Sequence, residues 1–162
     1  MKHIKGIVSL LVILATVCAL CACGGKELRT DVPASDVAES AAAAIGSADS
    51  MMTLEESYIA GRMELDLSLC EDYDVRLNKI STSVDEFGVF RAKDEAAAKS
   101  LAAGVQAYLD MRLATWMDEY MPDEKPKVEN AQVKTAGVYV MYTILGDSAQ
   151  KKAFSALDEA IG

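Results

Sequence analysis

Carboxylates, thiols and thioethers are the groups in this chain that could do chemistry, since it holds 25 Asp and Glu, four Cys and eight Met but one His. Asp85-Glu86, Asp118-Glu119 and Asp123-Glu124 each set two carboxyls side by side. A pair of carboxyls is what glycoside cleavage uses, held ~5 Å or ~6.5–9.5 Å apart across a sugar cleft. Adjacent residues of a strand point to opposite faces, however, which weakens Asp85-Glu86 as a pair. Solvated surface charge accounts for most of these groups. Glu86 is singled out, because it directly precedes an apolar strand and is expected to be partly buried.

"ELDLSLCEDYDV" offers Glu64, Asp66, Ser68, Asp72 and Asp74 at alternating positions, a spacing reminiscent of oxygen-ligand loops. The glycine and the terminal bidentate Glu of an EF-hand are missing, so no metal is assigned. Thioethers can hold Cu(I), but scattered methionines are explained more simply as adaptable core filling. No cofactor is expected.

Three of the four cysteines lie together in "VCALCACGGKELRT", at Cys18, Cys21 and Cys23. The segment before them is a short positive start (Lys2, Lys5) followed by an apolar run from Ile7 to Leu20. That run is short for a membrane span, which needs ~20 residues, and it suits the apolar region of an export signal. "LCAC" resembles a bacterial lipobox, with Leu20 three positions ahead of the acceptor and small Ala22 just before it. The resemblance implies cleavage after residue 22 and a diacylglyceryl thioether on Cys23. A metal clip is disfavoured because these cysteines end an apolar helix and lack a polar outer shell.

Residues 1–22 are therefore read as a signal peptide, 23–34 as lipidated cysteine and tether, and 35–162 as one domain. Cleavage removes His3, and with it His triads and His-ligated zinc. It leaves 14 basic residues against 25 acidic ones, a net of −11. So negative a chain is not expected to bind nucleic acid. It would meet the bilayer through the acyl chains on Cys23, on the outer face of the cell membrane. Cys70 remains as the one other thiol, and its acidic neighbours Glu71, Asp72 and Asp74 should raise its pKa.

Periodicity supplies the scaffold that must position these groups. "SDVAESAAAAIG" reads as a helix striped by Val37, Ala41, Ala44 and Ile45 and ended by Gly46. "TLEESYIAGR" reads as a second helix with a Thr53–Glu56 capping box. "MELDLSLCEDYD" reads as irregular, and strands follow at "DVRLNKISTS" and "EFGVFRA". Asp94 should cap a long helix running through Trp116 to Tyr120, in which Gly104 suggests close approach to a sheet. After a break at "MPDEKPK", "NAQVKTA" and "VYVMYTILG" form a hairpin, and Asp147 caps a last helix. Strand, strand, helix thus occurs twice, which predicts an α+β domain. Its sheet would have four mainly antiparallel strands, with additional N-terminal helices. "VYVMYTIL" is apolar at odd and even positions alike, so both its faces should be covered; a single covered face would leave the other for a partner.

"DEFGVFRAKDEAAA", "DEYMPDEKPKVENAQVKTAGVYVMYTILGD" and the lipobox together resemble a family of small bacterial lipoproteins, the domain of unknown function 4358. The resemblance implies export and a single domain, and it carries no catalytic residues. The function expected from the residues is non-enzymatic: a tethered domain outside the cytoplasm that binds a cell-surface protein or wall component. The alternatives are a solute-recognition accessory of a transporter and a carboxylate-based hydrolase of wall glycans.

Overall fold

A computed structural model of the chain describes residues 27–162. Cys23 and the signal segment lie outside the described residues.

The first helix, α1 (Ala34–Ile45), starts after Pro33 and ends where Gly46 takes a left-handed conformation at φ +71°. The Gly46 and Ser47 N–H groups then donate back to the Ala43 and Ala42 carbonyls. Ala44 faces solvent, and the inward stripe is instead Ala34, Val37, Ala38, Ala41 and Ala42. Strand β1 (Met51–Thr53), helix α2 (Glu56–Met63), strand β2 (Cys70–Asn78) and strand β3 (Glu86–Ala92) follow. Then come helix α3 (Glu95–Ala114), the short helix α4 (Lys125–Glu129), strands β4 (Gln132–Ala136) and β5 (Tyr139–Ile144), and helix α5 (Asp147–Ile161).

The fold is α+β, and its sheet has five strands in the order β1-β2-β3-β5-β4, every neighbouring pair antiparallel. The expectation of four strands missed β1. That strand is a three-residue edge pairing Met51 with Asn78 and Thr53 with Arg76, too short to show alternation. Thr53 therefore ends a strand instead of capping a helix, and Glu55 stands at the N-cap of α2 without a side-chain bond. β2 also begins earlier than expected, at Cys70.

Both faces of the sheet are covered. Ile59, Met63, Leu101, Val105, Tyr108 and Val128, from α2, α3 and α4, pack on Val75, Phe90, Val140 and Tyr142. The opposite face carries Phe87, Val89, Tyr139 and Met141 under Val37, Ala38 and Ala41 of α1 and Ala153, Leu157 and Ile161 of α5. Every residue of β5 is buried, as its two-sided apolar pattern requires. A vacant partner-facing side is excluded.

The two strand–strand–helix units do not superpose as a repeat. A rotation exchanging the antiparallel neighbours β3 and β5 has its axis normal to the sheet, and such a rotation keeps a helix on its own face. Yet α3 packs on one face and α5 on the other. The similarity reflects local chemistry, a capping turn followed by alanines.

Asp94 does cap α3, accepting the Ala97 N–H at 2.7 Å. The helix stops at Ala114 and not at Tyr120: after Thr115 the Trp116 N–H bonds to the Leu113 carbonyl, three residues back instead of four. At α5 the cap is Gly146, and Asp147 sits in the first turn without a capping bond. Gly104 permits close approach, but to a loop: an added Cβ would lie 2.8 Å from Leu65 Cδ2.

The packed chain extends ahead of Ser35. Arg29 N–H donates to the Ile161 carbonyl at 2.8 Å. Val32 is buried and exchanges two hydrogen bonds with the Tyr139 hydroxyl, at 2.9 and 2.8 Å.

Candidate functional site

Glu86 opens β3 opposite Leu77 and Ile144, so its side chain falls on the face covered by α3. It has no exposed surface. One carboxylate oxygen accepts the Tyr108 hydroxyl at 2.8 Å and the Tyr142 hydroxyl at 2.6 Å. The other accepts Arg112 Nη1 at 2.8 Å, and that nitrogen also donates to the Tyr108 hydroxyl at 2.6 Å. The expectation of partial burial understated the position.

Each partner has a local reason to be there. Tyr108 and Arg112 are one helical turn apart on α3, so both reach the same spot above the sheet. Tyr142 stands across from Gly88, where an added Cβ would meet its ring at 2.5 Å. That glycine leaves room for the ring beside Glu86. Burial, then the Glu86 charge, pushes the Tyr142 hydroxyl well above the usual tyrosine value and raises Tyr108 as well. For Arg112, burial disfavours the charge, but Glu86 and Tyr108 together outweigh it and the net shift is upward. The set is one carboxyl group ringed by a guanidinium and two tyrosine hydroxyls.

The other acidic candidates do not converge. Asp85 pairs with Lys127 at 2.8 Å and Asp118 with Lys125 at 2.5 Å. Glu124 accepts the Val84 N–H at 2.9 Å and pairs with Lys127. Asp72 accepts the Ala34 N–H and binds Arg91; Asp74 binds Arg76; Asp66 accepts the Ser68 N–H. Backbone and arginine partners thus occupy Asp66, Asp72 and Asp74 of the alternating run. Among the described residues no three His, Cys, Asp or Glu side chains gather closely enough to hold a metal ion.

Cys70 is buried, and its thiol is pushed up to about 11 by that burial first, then by Asp72 and Asp66. Asp72 was legible from sequence; Asp66 and the burial come from folding. The methionines are divided: Met63 lies in the core on one side of the sheet, Met51 and Met141 in the core on the other.

Beside the Glu86 set the surface opens into a pocket of about 260 Å³. Arg62, Val84, Arg112, Thr115, Trp116, Met117, Tyr120 and Met121 line it. Met117 and Tyr120 are 65% and 55% exposed, unlike the inward residues a longer α3 would have made of the region. Sequence reasoning missed Tyr142, Arg62 and this pocket. The available signal was Arg112 itself, a charged residue within the apolar stripe of a helix.

These features define a small α+β domain, a five-stranded antiparallel sheet between two helical layers with a buried ion pair at one end. The chain belongs to the family described as Domain of unknown function (DUF4358), whose model matches residues 44–145. The match takes in all five strands, α2 to α4 and the whole Glu86 set. No curated protein and no solved structure matches the chain.

Proposed function

We propose that this is a membrane-tethered lipoprotein domain on the outer face of the cell membrane, anchored through acyl chains on Cys23. Its role in this reading is to bind a cell-surface protein or wall component, without catalysis. The observation that carries the reading is the layout of the domain's ends. Arg29, the first of the described residues to make a hydrogen bond, meets Ile161, and the Thr30 carbonyl accepts from Arg91 at the far end of β3 from Glu86. Five strand steps of ~3.4 Å separate Arg91 from Glu86, about 17 Å. The open pocket and its exposed Met and Tyr side chains therefore sit away from the attachment, where a partner outside the membrane can reach them.

The reach is short. Five residues lie between Cys23 and Arg29, an extended length of about 20 Å. Binding is favoured over glycan hydrolysis because Glu86 is closed in by two tyrosines and an arginine, with no second carboxylate among its hydrogen-bond partners. Radiolabelled palmitate fed to cells should enter the wild-type protein and not the Cys23→Ser variant, which should be released to the medium. Crosslinking on intact cells should capture a surface partner. Label in the variant equal to wild type removes the anchor; glycan hydrolysis with no captured partner removes the binding role.

A further inference from the structure

We infer that the pocket beside Arg112 binds a carboxylate carried on an apolar or aromatic group, with Arg62 and Arg112 as its hooks. The inference rests on the binding-domain reading and names what that domain would recognise.

The charge of the lining comes first. This chain has 25 acidic residues, yet none lines this pocket, while two arginines do. Arg112 is already neutralised by Glu86 at 2.8 Å. Among the described residues Arg62 has no carboxylate within ion-pairing distance, and its guanidinium lies 5.7 Å from the Tyr58 ring centre. One uncompensated positive charge therefore remains, enough for a monoanion. A planar carboxylate suits guanidinium N–H geometry better than a spherical ion does.

Donor accounting points the same way. The hydrogen bonds of Arg112 to Glu86 and Tyr108 all leave from Nη1, so its other N–H groups have no partner among the described side chains. The Trp116 indole N–H is buried and has no acceptor among the described residues. A site with surplus donors and no lining carboxylate is completed by a ligand that accepts. Val84, Trp116, Met117 and Met121 supply apolar walls for the rest of that ligand. Glu86 and Tyr108 act here as positioning residues, fixing the Arg112 fork.

Trp116 is the chain's only tryptophan, so its emission reports directly on this pocket. The full chain in detergent would be titrated with N-acetylphenylalanine, its amide, and an acetylated peptide ending in phenylalanine with a free C-terminus. A saturable change is expected with a free acid and not with the amide. Arg62→Gln, which lies outside the buried set, should weaken it by about tenfold or more, the loss of one charge-assisted contact. A response to both acids makes the carboxylate itself the recognised group; a response to the peptide alone assigns a protein C-terminus. Equal responses to acid and amide, no response to either acid, or an unchanged titration in Arg62→Gln overturns the inference. A surface partner captured by a protein whose emission ignores carboxylates would sink the pocket and leave the binding-domain reading standing.

Discussion

The two faces of the sheet solve the same packing problem with different chemistry. On one, α1 and α5 press alanines and aliphatic side chains against Phe87, Val89 and Met141, an apolar contact. On the other, α3 brings Tyr108 and Arg112 down onto Glu86 and Tyr142, a charged group buried with all its partners. The first face gains from close approach, which is tolerant of sequence as long as volume is kept. The second is demanding, because a buried ion is stable only while its counter-ion and hydrogen bonds remain. The family match covers the second face's helices but only the end of α1 and none of α5. Openings of similar size lie on both sides, about 270 Å³ between α1 and α5 and about 260 Å³ beside Arg112, but only the second borders the buried ion pair.

The sharpest way to break this contrast is to strand the buried charge. Arg112→Leu should cost about 3–5 kcal/mol in urea unfolding, since Glu86 is left without a counter-ion. Adding Glu86→Gln to that variant keeps an acceptor for the tyrosines while removing the charge, and should recover at least ~2 kcal/mol. If the second substitution makes matters worse, charge is not what the pair contributes.

Gly88→Ala should cost about 1–3 kcal/mol, because the new methyl meets Tyr142 at 2.5 Å and Val75 at 2.9 Å. The same change should blue-shift or quench nothing on the alanine face, but should disturb the tyrosine absorbance of the Glu86 set. On that opposite face Tyr139→Phe removes two hydrogen bonds to Val32 and should cost about 1–2 kcal/mol. Its loss would be local, read as faster amide exchange at Val32.

A pH series sharpens the contrast further. Tyr108 and Tyr142 have raised values in the folded protein, so their neutral forms stabilise the fold fully below the ordinary value near 10. That contribution is lost as pH rises through the folded values, and the urea midpoint should fall above about pH 10. Tyr142→Phe should flatten the decline; an unchanged slope would place the alkaline loss elsewhere. The smallest effect is expected at Thr143, buried opposite Phe87 with a hydroxyl that has no partner among the described residues. Thr143→Val should change stability by no more than about 1 kcal/mol, in either direction.

Much of the scaffold was legible because local signals agreed. Asp94 ahead of an alanine-rich run, Gly46 at a helix end and the unbroken apolar pattern of β5 each name their own structure. Elements went astray where a local cue had a rival. Thr53 looked like a cap and became an edge strand, and the α3 pattern ran on past the turn where Trp116 bonds back to Leu113. For the candidate site, Glu86 was visible as an acid ahead of an apolar strand, and Arg112 was a signal left unused, a charged residue within the apolar stripe of a helix. Tyr142 and Arg62 were not visible, since nothing in their spacing ties them to a residue 56 or 24 positions away.

The sequence by itself determined the α+β class, the acidic surface of the domain and the covering of both faces of β5, because composition and periodicity act within a few residues. Tertiary structure alone decided that α3 and α5 take opposite faces, that two tyrosines and an arginine converge on one carboxylate, and that a pocket without acids opens beside them. The physical reason is register. Which side chains meet across a sheet depends on how distant strands align, and no stretch of chain carries that alignment on its own.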